Sequence, residues 1–302
     1  MATVGCRQVL GIEDPVQLHG DAMPTDALAA DAAIDTLSPA SCMTRWLTTP
    51  AFGGPIALAE LNSSADEDDP FLLPDERTIY FVRNGDIYTA TRPSLVQPFG
   101  APVADASLNS VATEGKAFVS ADGTRAFFAS DRGGGSGGFD LWRGARAGAT
   151  GPFNIDRTYL NLVDDQDAQL DPHLSTDLLR LYLAPRSAQG QYIAFASRGN
   201  TSQDFPAPTQ IAQLALVGGQ DAGPTLTADE RVIVFSSNVA GHQDLYYATR
   251  ASLNDAFSVP AALPQLASTG IDGAPHLSGD GCRVYFMSTR NGSRDLFVAS
   301  ML

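Results

Sequence analysis

Five short runs of β-branched and aromatic residues punctuate the chain: TIYFV (78–82), AFFAS (126–130), LYLA (181–184), VIVFSS (232–237) and VYFMS (284–288). They are near-continuous in apolar character rather than alternating, as expected of strands covered on both faces. A polar turn precedes each run. At Asp122-Gly123 and Asp280-Gly281 it is an Asp-Gly pair, in which glycine accepts the positive φ of a tight hairpin. Four of the runs lead through a second loop to an Asp-Leu/Ile-aromatic sequence, opening at Asp86, Asp140, Asp244 and Asp295.

These parts form one repeated unit, seen at residues 69–92, 116–146, 171–198, 223–250 and 274–300. One equivalent position in each unit is held by Phe71, Phe118, His173, Thr225 and His276, spaced 47, 55, 52 and 51 residues apart. A period near 50 residues is that of propeller blades. A fourth strand follows each unit, marked by an aromatic seven residues after an arginine: Arg92 and Phe99, Arg146 and Phe153, Arg198 and Phe205, Arg250 and Phe257. The same offset joins Arg45 to Phe52, so AFGGPIALAEL (51–61) reads as an outer strand without a blade of its own, and the last unit ends without one. Pairing the two closes the ring and removes exposed sheet edges. The expected fold is therefore all-β, a single five-bladed β-propeller over residues 49–302 with an N-terminal strand closing the last blade. Residues 1–48 form an extension in which DALAADAAIDTL (26–37) reads as a short helix.

The series Ser-x-Asp-Gly, aromatic strand, Ser-x-Arg, Asp-Leu/Ile-Tyr resembles the TolB-type, WD-repeat-like β-propeller family over about residues 51–300. It is clearest at SADGTRAFFASDR (120–132) and LSGDGCRVYFMSTRNGSRDLFVAS (277–300). The third unit departs from it, with Pro185 interrupting the series and Tyr192 in the Asp position. The resemblance implies a bacterial cell-envelope or secreted protein, periplasmic or extracellular, engaged in protein contacts. It carries no catalytic signature.

Charge narrows the partners. With 19 basic against 34 acidic side chains, a net charge of −15 and a single lysine, Lys116, the surface repels phosphate backbones, and nucleic acid is excluded as a partner. No apolar run approaches the roughly 18 residues of a membrane span. Membrane attachment is expected only through a lipid: Thr3-Val4-Gly5-Cys6 resembles the tail of a bacterial lipobox, although Thr3 replaces the usual leucine, and an ordinary thiol at Cys6 is the alternative. The opening residues lack the charged and apolar regions of a signal peptide. Cys6, Cys42 and Cys282 have no zinc-finger spacing. In an oxidising compartment Cys42 and Cys282 make a candidate disulfide, since both are placed at the last blade; Cys6–Cys42 pairing and free buried thiols are the competing arrangements.

Residues copied in every blade serve the blade, so Asp86, Asp140, Asp244, Asp295, Arg132, Arg186 and Arg290 read as loop anchors. Positions that differ between units are the candidates for function. His173 and His276, with Asp171 and Asp272 nearby, are candidate ligand-binding groups at the channel mouth, and the two histidines candidate ligands of a divalent metal cofactor. The acidic stretches 65–69 and 164–167 supply oxygen ligands without the order of a calcium-binding loop, and read as solvated loops. Gly134-Gly135-Ser136-Gly137-Gly138 satisfies G-x-S-x-G but joins two strands, where a nucleophile elbow needs a strand-to-helix turn. The expected function is a non-catalytic, monomeric scaffold or binding propeller for a protein or small ligand. The alternative is a hydrolase or lyase, metal-dependent or glycan-processing, with Glu114 and Asp171 near the funnel and Trp142 and Tyr192 as sugar platforms.

Overall fold

The computed structural model describes residues 38–302 other than 137, 159, 161 and 164–166. Five four-stranded antiparallel sheets stand around a central channel. Blade 1 runs outward through Glu67–Leu72, Thr78–Arg83, Asp86–Thr91 and Val103–Ala104, and blade 2 through Glu114–Val119, Arg125–Ser130, Asp140–Ala145 and Asn154–Asp156. Blade 3 uses His173–Leu174, Arg180–Leu183, Ala194–Ser197 and Thr209–Gln210, with an extra hairpin of Arg186–Ser187 and Gly190–Gln191 at the departure seen in its sequence. Blade 4 comprises Asp221–Leu226, Val232–Ser237, Asp244–Thr249 and Ala261–Ala262.

Blade 5 is built from both ends of the propeller. Asp272–Leu277, Arg283–Ser288 and Asp295–Ser300 take Ile56–Ala57 as their outer strand, in the register Ile56 to Val298 and Ala57 to Phe297. Phe52 bridges to Met301, and the side-chain amide of Asn62 makes paired hydrogen bonds to the backbone of Leu296 at 2.7 and 3.1 Å. The expected ring closure is thus formed.

The apolar runs are second strands, sandwiched between neighbouring blades. Phe81, Phe127, Tyr182, Phe235 and Tyr285 are fully buried, each such side chain contributing about 1.5–3 kcal/mol of burial. The Arg-to-Phe offset places the guanidinium over the ring, at 4.5 Å for Arg92 and Phe99 and 4.0 Å for Arg146 and Phe153. The N-terminal copy differs: Phe52 packs against Trp46, 5.4 Å between ring centres.

Trp46 belongs to helix α1 (Pro39–Thr48), which the sequence reading did not foresee. Its start is written locally, with Ser38 as N-cap accepting from Ser41 N–H and proline at the first helical position. The helix lies on blade 5, held there by a disulfide between Cys42 and Cys282 and by Trp46 Nε1 donating to Gly281 O at 2.7 Å. The helix expected at 26–37 and the thiol of Cys6 lie outside the described residues. No helix among the described residues is long and apolar enough to cross a membrane.

Candidate functional site

The channel is organised by the inner strands, whose free edges face it. In blades 1, 2, 4 and 5 the register of the inner strand shifts before the repeat position, between Asp68 and Phe71, Glu114 and Ala117, Ala222 and Thr225, and Gly273 and His276. Such bulges re-aim side chains. Two residues before the repeat position stand Asp69, Lys116, Asp171, Gly223 and Ala274, and all but Lys116 have left-handed backbone, with φ of 53° at Asp69, 57° at Asp171, 64° at Gly223 and 46° at Ala274. Proline follows in four of the five blades (Pro70, Pro172, Pro224 and Pro275), tolerated because an edge strand has no partner for the missing N–H.

This level opens into a recess of about 490 Å³ on one face of the propeller. Blades 1 to 3 contribute charge: Asp68, Asp69, Glu114, Lys116 and Asp171, joined by Arg186 from the extra hairpin of blade 3 and Arg294 from a loop of blade 5. Blades 4 and 5 contribute Gly223 and Ala274, which leave room. Lys116 is 1% exposed, and its Nζ donates to Pro275 O at 2.7 Å on the far side of the channel. Burial pulls the Lys116 ammonium below its usual range, opposed by the charges of Asp171, Asp69 and Asp68. Burial pushes the carboxyl of Asp69 well up, reinforced by Asp68 and Asp171. Asp171 is also raised by burial, but Lys116 and the Gly223 N–H, which donates to Oδ2 at 2.9 Å, restrain it. Asp68 is raised by burial against an ion pair with Arg294 at 2.5 Å.

Below the recess the repeat-position residues close the channel. Phe71 and Phe118 pack together, with His276 edge-on to Phe71 at 4.8 Å and His173 edge-on to Phe118 at 5.6 Å. Both imidazoles are buried, and neither Nδ1 has a hydrogen-bond partner among the described residues. Burial, with Lys116 nearby, lowers His173 to about 3 and His276 well below its normal value, so both are neutral. They line a smaller, mainly apolar cavity of about 110 Å³ on the opposite face.

The candidates from sequence thus separate. Asp171 reaches the recess; His173 and His276 lie beneath it. Asp272 is fully buried and bonded to Arg290 at 2.7 Å and Ser268 N–H at 2.6 Å. It repeats Glu114 with Arg132 at 2.8 Å and Glu67 with Arg83 at 2.7 Å, a device that ties an inner strand to the next loop. Among the described residues no group of three or more His, Cys, Asp or Glu side chains is placed to hold a metal ion.

Two readings change. Arg132 and Arg290 anchor loops, but Arg186 lines the recess; blade 3 has Gln169 where the others have the buried acid, so Arg186 lacks that carboxylate. The stretch 65–69 is not a solvated loop: Glu67 is buried, and Asp68 and Asp69 sit in the inner strand of blade 1. Residues 164–166 lie outside the described set. Trp142 is buried beneath Arg132, 5.3 Å from its ring, and does not line the recess. Ser136 is a loop residue whose N–H donates to Asp140. Asp69 and Lys116 were missed as site residues; the column Asp, Lys, Asp, Gly, Ala, charged on one side of the ring only, was the signal.

Solved structures of similar shape include a thermostable family-43 glycoside hydrolase, 14% identical, with 80% of this chain and 91% of that chain covered and a TM-score of 0.57. The endo-arabinase from Bacteroides thetaiotaomicron VPI-5482 is 13% identical, with coverages of 83% and 97% and a TM-score of 0.53. TolB from Acinetobacter baumannii is 15% identical, with coverages of 85% and 67% and a TM-score of 0.49. What they share with this chain is the propeller. No protein-family model matches the sequence, and no curated protein matches it.

Proposed function

We propose that this protein is a binding propeller that seats a small polar ligand in the recess above its channel. The observation that carries the reading is the Asp69, Lys116 and Asp171 series: three charged side chains at one repeat position on adjacent blades, converging on a cavity of ligand size. A blade needs none of them, because Gly223 and Ala274 fill the same position elsewhere. The reading includes a bacterial-envelope location, supported by the Cys42–Cys282 disulfide and the TolB-like repeat, with a lipid anchor at Cys6 and a monomeric chain. A protein partner at the same face is compatible with it.

One observation favours a hydrolase as second reading. Asp69 is pushed up, as a proton donor would be, while Asp171 is restrained by Lys116 and an N–H, as a base or nucleophile would be. A thermal-shift panel of monosaccharides, amino acids and polyamines tests the binding reading. A stabilising compound whose effect is lost in Asp171→Asn supports the recess; a panel without any shift, or a shift unchanged in Asp171→Asn and Lys116→Met, overturns it. Turnover of a nitrophenyl glycoside, abolished by Asp171→Asn, would establish the hydrolase.

A further inference from the structure

We propose that the ligand of the recess carries an ammonium group beside an oxygen acceptor, as amino sugars and amino acids do, its ammonium received by Asp69 and its oxygen by Lys116. This rests on the recess being the ligand site. Five carboxylates line it, Asp66, Asp68, Asp69, Glu114 and Asp171, against three cations, Lys116, Arg186 and Arg294; Glu114 is paired with Arg132, which is outside the lining. With Glu114 so paired, the recess is one cation short.

Pairing within it identifies the unmatched groups. Asp68 holds Arg294, and Asp171 accepts from Gly223 N–H and faces Lys116 and Arg186. Asp66 is exposed at the rim. The carboxyl of Asp69 accepts no hydrogen bond among the described residues, and burial together with Asp68 and Asp171 makes its charge costly. Lys116, buried, uses one of its three N–H groups on Pro275 O and has no other acceptor among the described residues. An unmatched acceptor and unmatched donors therefore occupy one repeat position on adjacent blades without a direct ion pair, a gap for a group offering both complements. Among the described residues no three carboxylate, imidazole or thiol groups are placed to hold a metal ion, so the cation that fits is an organic one bringing its own N–H donors. The volume of about 490 Å³ admits a monosaccharide or an amino acid, and the net charge of −15 draws cations toward the protein.

Calorimetry on the full chain at about pH 7 tests this with two matched pairs, glucosamine against glucose and L-serine against glycerate. The expected result is that in one pair the ammonium member binds at least about tenfold more tightly than its counterpart; which pair does so separates an amino-sugar from an amino-acid ligand. Asp69→Asn should erase the preference, asparagine being chosen because it tolerates the left-handed φ of that position. In the unmodified protein, lowering the pH should weaken the ammonium member selectively as Asp69 takes up a proton. Equal binding within both pairs, a preference that survives Asp69→Asn, or no binding of either ammonium compound at about 10 mM overturns the inference. A neutral or anionic compound from the wider panel that needs Lys116 and Asp171 would overturn it while leaving the recess as the binding site.

Discussion

The ammonium of Lys116 on blade 2 reaches across the channel to the carbonyl oxygen of Pro275 on blade 5, 2.7 Å away, tying together two blades that are not neighbours in the ring. The carbonyl is free because an inner strand has no partner on its channel side. Lys116→Met removes the tie and leaves Asp69 and Asp171 without their nearest compensating charge. A loss of about 1–3 kcal/mol is expected at about pH 7. It should shrink as the pH is lowered and the carboxyls, raised by burial, take up protons, and urea denaturation across a pH series measures the change.

Buried neutral histidines make stability depend on pH. His173 is lowered to about 3 and His276 well below normal, whereas both titrate near 6.5 when unfolded. Above about pH 6.5 they are neutral in both states and contribute no slope. As the pH falls from there toward about 3, the unfolded chain binds protons that the folded one refuses, and stability drops. Replacing both with phenylalanine, the residue of blades 1 and 2 at this position, should flatten the acid limb by about two protons in chemical denaturation between about pH 4 and 6.

The Cys42–Cys282 bond spans a sequence separation of 240 residues and pins helix α1 to the blade that closes the ring. Chain-entropy arguments give up to about 5 kcal/mol for a loop of this size. Reduction should lower the melting temperature of the wild-type chain, and the Cys42→Ser/Cys282→Ser variant should match the reduced protein and ignore reductant. Recovery of Cys282 as an alkylatable thiol after oxidising purification would contradict the bond.

Glu76, in a turn of blade 1, accepts from Tyr285 Oη at 2.6 Å and Arg283 Nη1 at 2.8 Å on blade 5; Glu230 repeats this between blades 4 and 3 with Tyr182 and Arg180. Glu76→Gln leaves Arg283 buried without its counter-ion. A loss of about 3 kcal/mol in equilibrium unfolding is expected, and a loss below about 0.5 kcal/mol would show the pair to be dispensable.

The blades were legible because their signals are local and repeated. Apolar runs, Asp-Gly turns and the Arg-to-Phe offset each act within a few residues, and five copies make the period visible even where blade 3 departs from it. The outer strand at Ile56–Ala57 followed from the same counting. Helix α1 was equally local, in Ser38-Pro39, but no repeat drew attention to it. The recess was different. Asp69, Lys116 and Asp171 lie about 50 residues apart, and nothing in the chain near any one of them reveals that it faces the channel. By itself the sequence determined that the chain folds into blades, how many there are and how the ring closes, since strand and turn signals are short-range and the unpaired outer strand at one end matches the blade that lacks one at the other. Only the tertiary structure decided which side chains meet in the channel: His173 and His276 packed neutral against phenylalanines, Asp272 tied to Arg290, and Asp69, Lys116 and Asp171 brought to one cavity. Those meetings depend on the radial closure of the ring and on burial, which sets the charge state of each group and has no counterpart along the chain.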